Sequence, residues 1–146
     1  MGYSAPQNDT EVLTLEDPLL DDDLVNGSTV FDNSSNKDAW ASAELDFGAD
    51  IDLSSANDNP VCYLYLIPSY DGTNYADDGN ETDETVPSEY LVGTFEFNKE
   101  STARRAVIDK FDIGPYKYKA TLFNDLGATL TTSGGATTSI KTFDRA

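Results

Sequence analysis

Histidine is absent from this 146-residue chain, and cysteine, methionine and tryptophan occur once each. Without histidine, Ser-His-Asp and Cys-His mechanisms and histidine-ligated zinc are excluded. The single Cys62 permits no internal disulfide, and its place in an apolar run marks it as a buried, inert thiol. Positive charge is scarce: nine Lys and Arg stand against 27 Asp and Glu, for a net charge of −18. So acidic a chain is not expected to bind nucleic acid, which needs a basic footprint. No apolar run approaches the ~20 residues that span a bilayer. Met1 to Pro6 has neither the basic nor the apolar region of a signal peptide. No phosphate-cradling loop is present, since Gly127 and Gly134-Gly135 lack both the spacing and the lysine such loops need. Carboxylates are plentiful, but nothing in the sequence singles out the two that glycoside hydrolysis uses. The chain is expected not to be an enzyme, and no cofactor is assigned.

What the chain does have is short apolar runs at strand spacing. Val61 to Ile67 is seven apolar or aromatic residues bounded by Pro60 and Pro68, too short and too proline-flanked for a helix. It reads as a strand buried on both faces, with Cys62, Leu64 and Leu66 on one side and Tyr63, Tyr65 and Ile67 on the other. Ala39 to Phe47 alternates cleanly, placing Ala41, Ala43, Leu45 and Phe47 on a core face and Trp40 among polar neighbours. Leu91 to Phe97 alternates with a phenylalanine pair directed inward, and Tyr116 to Phe123 sets Tyr116, Tyr118, Ala120 and Leu122 against Lys117, Lys119 and Thr121. Ser101 to Arg105 suggests a turn, with the next strand carrying Val107, Phe111 and Ile113. Residues 129–133 and 136–143, joined at Gly134-Gly135, read as a hairpin. About eight strands with little helix make an all-β, antiparallel β-sandwich.

Residues 1–38 differ in kind from residues 39–146. They are acidic and poor in core residues, and are expected to form an extended N-terminal arm on the sandwich domain, in which Glu11 to Leu15 alternates weakly as a short edge strand and Ser28 to Phe31 reads as a further short strand. The apolar residues they do hold, Leu13, Leu15, Leu19, Leu20 and Val25, are expected to contact another chain; the alternative is an arm packed back on its own domain. Charge is uneven as well. Residues 1–98 carry 22 acids and one base, a balance of −21, whereas residues 99–146 carry five acids and eight bases, a balance of +3. Arg104, Arg105, Lys117 and Lys119 are the bases from which a basic stripe facing an acidic partner would be built, the alternative being a solvated strand face.

The remaining candidates are aromatic or acidic. Trp40 caps a sheet end or anchors a partner or a sugar ring. Tyr63 and Tyr65 either pack at the rim of the core or form an aromatic platform, and Tyr70 and Tyr75 open a long polar connection of a length that is more often functional than filler. In that connection Asp71, Asp77, Asp78 and Asp83 are oxygen donors suited to calcium, but they lack the spacing of an EF-hand; the leading reading is a solvated loop, and no metal is assigned.

The phrase Leu64-Tyr65-Leu66-Ile67-Pro68-Ser69-Tyr70-Asp71-Gly72-Thr73-Asn74-Tyr75, with the later Leu91-Val92-Gly93-Thr94-Phe95, resembles the small capsid decoration, or cement, proteins of tailed bacteriophages. The resemblance spans roughly residues 39–130 and implies a jelly-roll-like sandwich on the outer capsid surface of the virion. There it would clamp neighbouring major capsid protein subunits, itself a homotrimer. No catalytic residue, nucleic acid or membrane comes with the resemblance. The second reading, from the aromatic residues alone, is a carbohydrate-binding β-sandwich using Trp40 and the loop that begins at Tyr70; a tail or fibre accessory domain is a third.

Overall fold

A computed structural model describes residues 8–15, 18–35, 37–76, 86–131 and 135–143. Among the described residues nine strands run in order: β1 (Asn8–Thr14), β2 (Leu24–Asn26), β3 (Phe31–Asp32), β4 (Trp40–Ile51), β5 (Val61–Ser69), β6 (Leu91–Glu96), β7 (Ala103–Asp112), β8 (Lys117–Asp125) and β9 (Thr137–Phe143). The helical structure among the described residues is one 3-10 turn at Ser88–Tyr90. All pairings between strands are antiparallel. One sheet has the order β1-β9-β4-β7; the other has β2-β8-β5-β6, with β3 also on β8. The fold is an all-β, jelly-roll-like sandwich.

Alternation explains the two layers. On β4 the small and aliphatic set Ala41, Ala43, Leu45 and Phe47 is buried, and on β5 so are Cys62, Leu64 and Leu66. These rows face each other and, with Phe95, Ala120, Leu122 and Ile140, make one continuous core. Each fully buried aliphatic or phenylalanine side chain adds ~1.5–3 kcal/mol of transfer free energy. Phe97 stacks on Phe47 with centroids 4.5 Å apart, sealing one margin of that core. As read from the sequence, β5 is internal to its sheet, between β8 and β6. Its second face is only partly covered: Ile67 and Ser69 are buried, Tyr63 and Tyr65 half-buried.

The N-terminal segment is not an arm standing off the sandwich. β1 pairs with β9 at the edge of one sheet, and β2 and β3 pair with β8 in the other. Val12, Leu13, Leu15, Leu19 and Phe31 are all buried in the common core. A register shift between Glu11 and Leu13 turns two consecutive residues, Val12 and Leu13, inward, which leaves only the weak alternation that marked Glu11 to Leu15 as a short edge strand. The expectation that Leu13, Leu15 and Leu19 meet another chain is therefore corrected: this chain's own core covers them. Gly27 fastens the segment, since a Cβ there would sit 2.4 Å from the Val12 carbonyl oxygen.

Two further expectations change. Arg104 and Arg105 lie in β7 and not in a turn. The 129–143 hairpin does not form among the described residues: Leu130 bridges to Leu19, while β9 crosses to the other sheet between β1 and β4. Thr138, Ile140 and Thr142 are the reason, because only there do they share the core face with Ala41, Ala43 and Leu45.

Candidate functional site

At the end of the sandwich where β5 and β7 finish and β6 and β8 begin, four tyrosines converge. Tyr70, Tyr90, Tyr116 and Tyr118 line a cleft of about 220 Å³ together with Leu66, Pro68, Val92 and Ile113, and Glu89 and Asp112 complete the lining. Tyr70 is 68% exposed, the most exposed large hydrophobic side chain among the described residues. Its ring meets Tyr116 edge to face, at 4.8 Å and 84°, and Tyr116 meets Tyr118 at 6.3 Å and 68°. The rings thus stand at steep angles to one another and not as a flat stack. Tyr118 is anchored beneath: its hydroxyl accepts a hydrogen bond from the Gly114 N–H at 2.8 Å, and burial pushes its pKa upward.

The loop that displays Tyr70 is built by Asp71. Its Oδ1 accepts the backbone N–H groups of Thr73 and Asn74 at 2.8 and 2.7 Å and the Ser69 hydroxyl at 3.2 Å, while Oδ2 accepts the Asn74 amide at 2.9 Å. Those backbone donors, Asn74 first, hold the Asp71 carboxyl well below the usual range. Gly72 supplies the positive φ of the turn, +82°. The loop closes when Ala76 donates its N–H to the Pro68 carbonyl, and Tyr75 lies under Lys119, whose Nζ is 4.5 Å from the ring centroid. Asp71 is thus a loop-organising acid whose oxygens already hold four donors, not a free metal ligand. Asp77, Asp78 and Asp83 lie outside the described residues.

The other candidates are scattered. Trp40 is on the outer face of the β1-β9-β4-β7 sheet, with Lys110 Nζ 4.6 Å above its ring. Tyr63 and Tyr65 are on the outer face of the opposite sheet, where Tyr63 packs against Phe123 at 6.0 Å and donates its hydroxyl to Asp125 at 3.4 Å. No basic stripe forms: Arg104 and Arg105 pair with Asp46 at 3.3 Å in one sheet, while Lys117 and Lys119 belong to β8 in the other. Leu20 is 56% exposed and remains available to a partner, and Val25 is half-buried beside Leu122 on β8. Asp21, Asp22 and Asp125 bring carboxylate oxygens within 4.8 Å of one another, but Asp21 already accepts the Gly127 N–H at 2.8 Å. A wider hollow of about 520 Å³ beside β1 and β2 is lined by aliphatic and small polar side chains, with no aromatic ring among the described lining residues.

Tyr70 was marked in the sequence by its place after a proline-ended strand. Glu89, Tyr90, Asp112, Tyr116 and Tyr118 were not, since the topology alone brings them together.

No family model matches the chain. No curated protein matches it. Among solved structures, it resembles a family 6 carbohydrate-binding module at 12% identity over 95% of this chain and 94% of that one, with a TM-score of 0.40. A mannan-recognising carbohydrate-binding module, TmCBM27, is similar at 8% identity over 99% and 88%, with a TM-score of 0.46. The Yersinia pseudotuberculosis-derived mitogen is similar at 10% identity over 97% and 88%, with a TM-score of 0.37. These are likenesses of strand arrangement alone.

Proposed function

We propose that the protein is a non-catalytic binding β-sandwich and that the tyrosine cleft takes carbohydrate. The observation that carries this is Tyr70, a ring 68% exposed on a loop whose shape Asp71 fixes before any ligand arrives. Sugars are recognised by an apolar ring against their C–H faces and by acceptors for their hydroxyls; Tyr70 offers the first, Glu89 and Asp112 the second. A preformed loop spares the ordering cost that a mobile one would incur on binding. Catalysis is not part of the proposal. Glycoside cleavage needs one desolvated acid, and Glu89 and Asp112 are both exposed. The test is a glycan array followed by calorimetry of the best ligand. Binding should occur and Tyr70→Ala should weaken it at least tenfold, a loss of ~1.4 kcal/mol or more; an array with no hit sinks the reading.

A second reading is favoured by a separate observation. The segment that resembles phage decoration proteins is the one that builds the Ser69–Tyr75 loop, and exposed apolar side chains are spread over the molecule, at Leu20, Val30, Leu91 and Val107 as well as Tyr70. On that reading the chain is a virion structural protein on the outer capsid. It would bridge major capsid protein subunits as a homotrimer, through loop and edge residues and not through the buried Leu13, Leu15 and Leu19. Burial of ~1,600 Å² per site would hold it there. Co-sedimentation with phage heads lacking their decoration layer tests this, and protein left in the supernatant would reject it.

A further inference from the structure

The cleft's charge and ring geometry select among sugars. Glu89 and Asp112 line it, and among the described lining residues there is no Lys or Arg. The nearest bases in sequence are committed elsewhere. Lys110 lies over Trp40, and Lys117 on β8 is opposite Asp32 of β3, whose carboxyl is held low by the Ser34 hydrogen bonds and, in smaller part, by the Lys117 charge. The whole chain adds a net charge of −18, which draws cations toward any acidic concavity. The rings contribute in the same sense. Tyr70 meets Tyr116 at 84° and Tyr116 meets Tyr118 at 68°, so the lining rings are set at steep angles to one another and form no flat platform. A neutral pyranose needs one flat platform, whereas a compact ammonium group gains from several ring faces and from a carboxylate at the rim.

Resting on the carbohydrate reading, we infer that the ligand is an amino sugar carrying a free, protonated amine, with the ammonium between the tyrosine rings and Glu89 and Asp112. An N-acetylated or neutral sugar of the same shape leaves both carboxylates without a cationic partner.

The experiment is calorimetric titration in mildly acidic buffer with a glucosamine oligosaccharide, its fully N-acetylated counterpart and a glucose oligosaccharide of equal length. The free-amine ligand should bind about tenfold more tightly than either neutral one. Its advantage should shrink in Glu89→Gln/Asp112→Asn and with added salt, while the circular dichroism of that variant stays native. Equal affinity for all three sugars overturns this inference and leaves the carbohydrate reading standing. Binding of tetramethylammonium with no sugar bound, or no binding at all, overturns both.

Discussion

Buried residues that break the rule of polar satisfaction are the ones whose replacement is most informative. Thr138 on β9 is fully buried on the core face, and its hydroxyl has no hydrogen-bond partner among the described atoms. By contrast, the nearby Thr142 hydroxyl donates to the buried Asp38 carboxylate at 2.7 Å. Asn33 has its own partners: it donates to the Asp38 and Gly114 carbonyls and accepts the Asp38 N–H. An orphaned hydroxyl costs ~1–3 kcal/mol of desolvation that nothing offsets. Valine has the same branched shape and strand preference without the polar atom. Thr138→Val is therefore expected to stabilise the protein by ~1 kcal/mol, raising the denaturant midpoint with an unchanged slope. Thr142→Val, which strands a buried carboxylate, should do the reverse. If Thr138→Val destabilises, the hydroxyl has a partner and the orphan assignment fails.

At the scale of elements, the N-terminal segment decides how the two sheets are closed at one edge. β1 and β2 are the outermost strands of opposite sheets, and Gly27, just past β2, lets that strand's end approach the β1 backbone. A methyl group at Gly27 would meet the Val12 carbonyl at 2.4 Å and the Ala120 carbonyl at 3.3 Å, both main-chain atoms of paired or core strands. Neither can swing aside as a flexible side chain would. Gly27→Ala is expected to cost ~2 kcal/mol or more through this overpacking, seen as a lowered melting temperature with an intact far-ultraviolet spectrum. A neutral result would mean that the edge is looser than its geometry. This segment also marks where the sequence stops being legible. β4, β5, β6 and β8 are long or cleanly alternating, and their inward residues could be read directly. β1 carries a bulge and alternates only weakly, β2 has three residues and β3 two, so a short edge strand at β1 was legible but the inward residues of this segment were not. The placement of β9 is a matter of long-range pairing, which no local pattern encodes. The same limit hid the cleft. Tyr116 and Tyr118 alternate as core residues do, and nothing local places them beside Tyr70 and Tyr90.

Over the whole molecule, charge opposes folding. A balance of −18 on one small domain is self-repelling, and the described ion pairs give little back: Lys99–Asp58 at 3.4 Å and the two Asp46–arginine contacts at 3.3 Å involve largely exposed side chains. Screening acts on both terms. The Debye length shrinks from ~10 Å at 0.1 M salt to ~3 Å at 1 M, which removes most of the repulsion between dispersed acids and only a small attraction from the few pairs. Repulsion is the larger of the two, so added sodium chloride is expected to raise the melting temperature, most steeply at the lowest salt. A cationic ligand should respond in the opposite sense, because its attraction to Glu89 and Asp112 is screened by the same ions. Stability rising while amino-sugar affinity falls over one salt series would separate the global field from the local site. If stability also falls, the exposed pairs outweigh the repulsion, and the charge of this chain would have to be read as a set of specific contacts and not as a field.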